Sequence, residues 1–204
     1  MSSVENAAHR ARNAVLDVAE GLFARYGFKK TSIEDIARAA RIGKGSVYLH
    51  FSSKEDLFGE VVRRVSDRMM STLVEAVRSA RTPAAKLRAF IRAHLNDVAA
   101  LAAEYHLDEE RLMELLPLAE ALRQAHRAQE VALLEGVLRD GKASGSFAIN
   151  HTGRLATGLL ASVQALETSA LRFRDQPEFR AALGEVLDVI LRGLENAALE
   201  HADR

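Results

Sequence analysis

Residues 31–51, TSIEDIARAARIGKGSVYLHF, decide the fold of this chain. Apolar side chains recur at helical spacing after Thr31, and Thr31 with Glu34 has the T-x-x-E spacing of a capping box, so we predict a helix that begins at Thr31. A tight turn follows it. A short further helix is predicted over about residues 44–50. Two short helices joined by a tight turn are typical of the helix-turn-helix motif.

The segment 43–46, GKGS, suits a phosphate group, which could belong to a nucleotide or to the DNA backbone. A nucleotide P-loop requires G-x-x-x-x-G-K-[ST] between a strand and a helix. Gly45 follows Lys44 where that pattern needs Ser or Thr, and Arg38 stands where it needs its first glycine. The preceding segment is also predicted to be a helix. Spacing and context therefore exclude a nucleotide loop and favour DNA.

The DNA interpretation assigns a role to each feature of the short helix. Its small first turn can approach the major groove closely, where free amides favour phosphate. Lys44 adds a positive charge, and Tyr48, one turn later, offers a ring and a hydroxyl group. Residues 25–54 contain seven Lys or Arg against two acidic residues. This local excess of positive charge is what a protein that binds the DNA backbone needs.

The rest of the chain also reads as helical. Ser53 with Asp56 predicts the start of a long helix to about residue 80, and Thr82 with Pro83 predicts the next start. We further expect a short helix from about residue 108 that ends before Pro117. The remaining predicted helices span about residues 118–140, 151–173 and 177–200, with a loop at 141–150.

Composition narrows the classes of protein further. The 204 residues carry 28 Lys and Arg against 28 Asp and Glu, which excludes a chain that is basic throughout but not a local basic patch. No cysteine is present, which excludes disulfides and thiolate metal sites. The amino terminus lacks the apolar stretch of a secretory signal, and no apolar run is long enough to span a bilayer. We expect a cytoplasmic, all-α protein that does not bind membranes.

Residues 21–58 resemble the DNA-binding region of the tetracycline-repressor (TetR) family, through FARYG, TSIEDIA, KGSVYLHF and SKEDL in that order. The resemblance implies a homodimeric transcriptional regulator, usually a repressor, that binds double-stranded operator DNA and is released by a small-molecule effector. The predicted fold is a three-helix helix-turn-helix domain over residues 1–52 and a larger helical effector-binding and dimerisation domain over residues 53–204.

The DNA contacts implied by the resemblance are Lys30, Thr31, Ser32, Lys44, Gly45, Ser46, Tyr48, His50 and Lys54. Two positions depart from the family pattern. Arg41 stands where the turn usually has glycine, so it either adopts a left-handed conformation at a cost of about 1 kcal/mol or shifts the turn. Its side chain either touches DNA or points into solvent. Gly43 replaces the usual serine cap of the recognition helix.

Two further sets of residues are candidates in the larger domain. Polar or adaptable side chains near apolar faces could line an effector pocket, although at any one position a satisfied core residue is commoner. These are Met69, Phe90, His94, Tyr105, Met113, Gln129 and Gln164. Small or apolar residues on the last two helices suggest a dimer interface. These are Gly158, Ala161, Ser162, Ala165, Val186, Val189 and Ile190.

Other functions find little support in the sequence. No nucleophile–base pair, paired catalytic carboxylates or cofactor motif is evident, so we expect neither an enzyme nor a cofactor. The His and acid pairs of the larger domain lack an H-E-x-x-H pattern, and we expect no metal. The effector is expected to be largely apolar. The alternative is a helix-turn-helix regulator without a small-molecule ligand that is controlled by a protein partner.

Overall fold

The computed structural model describes residues 3–104, 109–122, 124–172 and 177–202. Within these ranges the chain forms nine helices and no strand, which confirms the all-α prediction. The helices are α1 (Ser3–Lys30), α2 (Ile33–Ala39), α3 (Lys44–Tyr48), α4 (Lys54–Ser79), α5 (Pro83–Glu104), α6 (Glu109–Leu122), α7 (Gln124–Ala143), α8 (Thr152–Arg172) and α9 (Pro177–Ala202).

The chain divides into two compact units. The first unit comprises Met1–Ser66 and Ala102–Gln124, and the second comprises Asp67–Leu101 and Ala125–Arg204. The helix-turn-helix segment therefore shares its unit with α6, which lies far along the chain. The units describe packing, and the assignment of DNA binding to residues 1–52 stays a prediction.

The core of the first unit is partly aromatic. The Phe23 ring meets the Phe58 ring edge to face with centroids 5.2 Å apart, and Phe28 lies 5.0 Å from Phe58. Leu57 and Val61 of α4 are buried in the same cluster. Residues beyond 52 thus complete the core on which the DNA-binding motif rests. The buried members are Val15, Leu16, Ala19, Phe23, Ile33, Ile36, Ala37, Val47, Phe51, Leu57, Phe58, Val61 and Val62.

Gly27 interrupts α1 three residues before the helix ends at Lys30. Its φ of 82° and ψ of 166° lie in a region that residues with a Cβ rarely adopt, and the helical course resumes until Lys30. A Cβ at Gly27 would lie 2.4 Å from a carboxylate oxygen of Glu114 on α6. The same carboxylate accepts a hydrogen bond of 3.0 Å from the Lys29 amide. Glycine is therefore required here both for conformation and for space.

The cap of α2 differs from the prediction by one residue. Ser32 is the N-cap: its hydroxyl accepts from the Asp35 amide at 3.2 Å, and the Asp35 carboxylate accepts from the Ser32 amide at 3.2 Å. The Thr31–Glu34 capping box is therefore wrong. The Thr31 hydroxyl instead donates to the Gly27 carbonyl at 2.8 Å.

Other predicted boundaries hold or move by a few residues. The Asp56 amide donates to the Ser53 hydroxyl and the Ala85 amide to the Thr82 hydroxyl, which confirms both predicted starts. The predicted stop before Pro117 is wrong, because α6 continues through this residue to Leu122. Pro117 is exposed, so water can solvate the carbonyl that its missing amide leaves unpaired. α7 likewise continues past residue 140 to Ala143.

The core of the second unit is mainly aliphatic. Its largest fully buried side chains include Phe90, Leu134 and Leu138. The loop after α7 contributes Phe147, whose ring would come within 2.0 Å of a Cβ at Gly141. The buried members are Leu73, Val77, Leu87, Phe90, Ile91, Leu134, Val137, Leu138, Phe147, Ile149, Ala156, Leu159, Leu160, Val163, Leu187 and Leu191.

Candidate nucleic-acid interface

The turn between α2 and α3 is closed by a pair of backbone hydrogen bonds. The Ile42 amide donates to the Ala37 carbonyl at 3.0 Å, and the Arg41 amide donates to the Arg38 carbonyl at 3.2 Å. This is the pairing of a Schellman motif, which places a left-handed residue directly after the helix cap. Arg41 is that residue, with φ 57°, and among the described residues no other non-glycine has a positive φ. Of the two outcomes expected for Arg41, the left-handed one is found.

Val47 fixes α3 to the first unit. Its side chain is fully buried in the core, so the opposite side of this short helix faces outward. Lys44, Gly45 and Tyr48 are exposed there. Gly43 is the N-cap and makes no side-chain hydrogen bond, which leaves the first turn of α3 uncovered. The outward face of α3 thus has small side chains around Lys44 at its start and the Tyr48 ring at its end.

Lys44 is held by a neighbour on α2. Its ammonium group forms an ion pair with the Glu34 carboxylate, and both side chains are about half exposed, at 50% and 52%. The hydrogen bond between them raises the pKa of Lys44 and lowers the pKa of Glu34. The Lys44 ammonium also lies 5.9 Å from the centre of the Tyr48 ring. Glu34 was predicted to cap α2, and its role at Lys44 was not foreseen.

Lys54 has an internal partner as well. Its ammonium donates to the Phe28 carbonyl at 3.0 Å and lies 4.3 Å from the centre of the Phe28 ring. The side chain therefore ties the start of α4 to the end of α1. The predicted contact of Lys54 with DNA would either leave its interactions with Phe28 in place or break them.

The junction between α1 and α2 places the remaining predicted contacts. Lys30 is exposed, whereas Thr31 is 3% exposed with its hydroxyl turned inward. The Ser32 hydroxyl is engaged with Asp35, and hydrogen bonds from Ser32 lower the pKa of Asp35. Any DNA contact by Thr31 would therefore be made through its backbone. Ser46 and His50 are half-buried, and the His50 ring packs against Phe51 with centroids 6.3 Å apart.

Leu49 was missed by sequence reasoning. It follows Tyr48 at the end of α3 and is 83% exposed, an unusual position for a large aliphatic side chain. Apolar side chains can contact the methyl group of thymine in the major groove. Val47 and Phe51 are four residues apart and both buried. Helical spacing puts Leu49, midway between them, on the opposite face, and this spacing is the signal in the sequence from which its exposure could have been expected.

The predicted effector-pocket residues are dispersed. Phe90 and His94 are buried in the second unit, with their rings stacked at 5.9 Å and 8°. Gln129 is exposed, and Met113 is exposed on α6 of the first unit. Met69 and Gln164 are half-buried, and Tyr105 lies outside the described residues. These assignments stay predictions, with Phe90 and His94 the pair that the structure brings together.

The predicted dimer residues lie mostly on exposed faces of α8 and α9. Val186 and Val189 are 50% and 65% exposed, and Ile190 is half-buried. Gly158, Ala161, Ser162 and Ala165 are all exposed on α8. No group of metal-ligating side chains occurs in the described part of the chain. Among its described helices, none combines the length and the apolar character needed to cross a bilayer.

Comparison with known proteins agrees with this architecture. Residues 15–61 match the family described as "Bacterial regulatory proteins, tetR family". The chain is 34% identical over 145 residues to the HTH-type transcriptional repressor KstR2 of Rhodococcus jostii (strain RHA1), covering 67% of each chain. It is 24% identical over 188 residues to the fatty acid metabolism regulator protein of Bacillus subtilis (strain 168), covering 89% of this chain and 94% of that one.

A solved structure matches beyond the DNA-binding motif. The transcriptional regulator FadR from Bacillus subtilis, solved in complex with stearoyl-CoA, superposes with a TM-score of 0.69 at 22% identity, covering 89% of this chain and 98% of the other. At this identity the likeness shows the fold alone. One family accounts for the helix-turn-helix geometry, the match of residues 15–61 and the identity to KstR2. The chain belongs to the TetR family of DNA-binding transcriptional regulators.

Proposed function

We propose that this regulator is a homodimeric repressor that leaves its operator when a small molecule binds in the second unit. The observation that carries the proposal is the stacked Phe90–His94 pair, which is buried in a mainly aliphatic core. Effector sites are typically apolar with a few polar groups that orient the ligand. His94 is 1% exposed, and such a polar side chain is suited to select a ligand that carries one polar group on an apolar body.

The relatives support the same class of effector. FadR from Bacillus subtilis was solved with stearoyl-CoA, a molecule with a long apolar chain and a polar head. The chain also matches the fatty acid metabolism regulator protein over 89% of its length. We therefore propose a long-chain acyl thioester as the first effector to test. Effector and DNA must affect each other's affinity reciprocally if both bind to one two-state protein.

The test begins with an operator selected from random duplex DNA. Stearoyl-CoA is added to the protein–operator complex, with coenzyme A and stearate as separate controls. We expect stearoyl-CoA to release the DNA at concentrations where neither control does. If neither stearoyl-CoA nor shorter acyl thioesters alter operator affinity, acyl thioesters are excluded as effectors. The alternative, a regulator that is controlled by a protein partner, then becomes the better proposal.

His94→Phe separates effector binding from DNA binding. Phenylalanine keeps an aromatic ring, somewhat larger than imidazole, but removes the polar nitrogens. Operator affinity should therefore remain while the effector concentration for half-release rises about tenfold, the effect expected of one lost hydrogen bond to a polar ligand group. Ser71→Ala, at an exposed position of the same unit and outside the candidate pocket residues, is the control and should respond as the wild type does. An unchanged effector response in His94→Phe would remove His94 from the site.

The dimer is proposed to form through α8 and α9. Exposed Val186 and Val189 and the row of small residues on α8 allow close approach of a second copy. A two-fold dimer sets two recognition helices about 34–36 Å apart, one turn of DNA. Val189→Glu should therefore yield a monomer in sedimentation experiments and weaken binding to a palindromic site. A dimer that persists in this variant would place the interface elsewhere.

A further inference from the structure

The ion pair between Glu34 and Lys44 joins the first turn of α2 to the first residue of α3. Both side chains are half exposed on the outward face of the helix-turn-helix motif. Lys44 is the cation that we propose to contact a DNA phosphate. In the free protein its charge is already balanced by a carboxylate of the same chain.

We propose that Glu34 is an internal competitor of the DNA phosphate for Lys44, and that it lowers the affinity of this regulator for all duplex DNA. The inference rests on the proposed DNA contact of Lys44. A phosphate that takes Lys44 must displace the Glu34 carboxylate, because both groups use the same ammonium. The displaced carboxylate remains beside the bound phosphate, where two negative charges repel each other. Every duplex presents phosphates, so the penalty does not depend on base sequence.

The neighbouring acid does not share this role. Asp35 is held in the cap of α2 by the Ser32 hydroxyl and amide, and its other oxygen accepts from Arg38 at 3.3 Å. Its charge is therefore engaged within α2. Glu34, at the second position of the helix, is outside the capping box and reaches across the turn to α3. Removing the Glu34 charge should leave the cap of α2 in place.

The salt dependence of binding provides a distinctive readout. Neutralising a phosphate with a lysine releases a condensed counterion, which makes affinity fall with rising salt. When Glu34 is displaced, its carboxylate takes up a cation from solution and offsets part of that release. Removing the carboxylate should therefore steepen the plot of log affinity against log salt by up to about one unit.

The experiment measures binding of wild type, Glu34→Gln, Lys44→Ala and the double variant to a random-sequence duplex and to a selected operator, over a range of salt. We expect Glu34→Gln to bind both duplexes about two- to fivefold more tightly at low salt, as for loss of a solvated ion-pair partner. We expect the gain to be absent when Glu34→Gln is added to Lys44→Ala. Glu104→Gln removes the same charge from an exposed position at the end of α5 and should change neither affinity nor slope.

Four results would overturn the proposal. A gain that persists in the Lys44→Ala background would mean that Glu34 repels DNA through space and not through Lys44. Unchanged or weaker binding by Glu34→Gln would mean that Glu34 does not compete, and a loss confined to the operator would indicate that it contacts a base. If Lys44→Ala alone leaves affinity and salt slope unchanged, the proposed phosphate contact of Lys44 fails as well. Thermal melts of each variant establish that the fold is retained.

Discussion

The two compact units handle polar side chains in different ways. In the first unit, Thr31 and Ser32 use their hydroxyl groups to close the junction between α1 and α2. Glu20 is buried there at 7% exposure, whereas the charged residues of the helix-turn-helix, such as Lys44, lie outside. In the second unit, the buried polar side chains are titratable: His94, His126 and Glu130 are 1%, 7% and 2% exposed. His126 reaches Asp67 at 2.7 Å.

This difference is the one that the proposed tasks of the two units require. A DNA-binding surface needs charges in water, where phosphates can reach them, and a rigid scaffold that holds the recognition helix. A binding site for a largely apolar molecule needs a few polar groups inside an apolar interior. Burial of a polar group costs free energy unless the group is hydrogen-bonded. A polar side chain inside a core is therefore a stronger indication of a function than one outside. Under the proposed function, the DNA contacts thus lie on a surface and the effector site lies in an interior.

Cavity mutations in each core provide the largest expected effects. Phe23→Ala should cost about 3–5 kcal/mol and Leu134→Ala about 2–5 kcal/mol of unfolding free energy. Hydrogen exchange measured helix by helix should show loss of protection in α1–α3 for Phe23→Ala and in α5 and α7 for Leu134→Ala. Equal loss throughout the chain in both variants would mean that the two units unfold as one, and the comparison between them would not extend to stability.

Glycine substitutions test two close approaches, one in each unit. Gly27→Ala should destabilise the first unit by about 1–3 kcal/mol, since φ 82° is strained for alanine and its Cβ would meet the Glu114 carboxylate. Gly141→Ala should cost about 1–3 kcal/mol through overpacking against the Phe147 ring. Gly21 is the control, because a Cβ added at this position inside α1 would meet no atom within 4 Å.

We expect Gly21→Ala to stabilise by about 0.4–1 kcal/mol, because alanine loses less backbone entropy in a helix. Thermal melts of the three variants measure these differences in stability. A melting temperature for Gly27→Ala at or above that of Gly21→Ala would contradict the close contact between α1 and α6. The double variant Gly27→Ala with Glu114→Ala should recover the part of the loss that comes from the contact and retain the part that comes from the backbone.

Acid should affect the first unit through Glu60. Hydrogen bonds from Arg63, and then from Arg12 of α1, lower the pKa of Glu60 to about 2 from an ordinary value of 4.5. A lowered pKa contributes stability above pH 4.5, and this contribution is lost as the pH falls toward 2. Because the ion pairs are partly solvated, we expect about 1 kcal/mol. Glu60→Gln should thus lose less stability than the wild type between pH 5 and pH 2 in urea unfolding, and parallel curves would contradict this role.

The sequence predicted the first unit in greater detail than the second, and the reasons are physical. Caps and turns are local features, so spacing correctly predicts the Ser53 cap in the first unit, as it does the Thr82 cap in the second. The capping box was displaced by one residue because Thr31 and Ser32 both have an acid three positions later. The two are told apart by the Thr31 hydroxyl, which donates back to the Gly27 carbonyl four residues earlier and is therefore turned away from α2.

Features that depend on distant parts of the chain could not be predicted. The Glu114 carboxylate accepts from the Lys29 amide, 85 residues away in sequence, and local spacing does not predict this contact. The pair of Phe90 and His94 was expected on an inner face from its spacing, but exposure of Gln129 depends on how α7 packs. The residues around Pro117 keep helical spacing, but we expected proline to end the helix. Proline ends a helix less strictly where water can reach the backbone, as at Pro117.

Arg41 offers the smallest expected effect and the closest test of the turn. A left-handed residue with a Cβ is strained by about 1–2 kcal/mol, while glycine adds about 0.4–1 kcal/mol of entropy to the unfolded chain. Arg41→Gly should therefore be up to about 1 kcal/mol more stable than Arg41→Ala in thermal unfolding, although both lose the same charge. If Arg41 also contacts a phosphate, both variants lose about one unit of salt slope in DNA binding, and if it points into solvent, neither does. A glycine variant no more stable than the alanine variant would mean that Arg41 is not left-handed, and that the turn places Lys44 differently relative to α2.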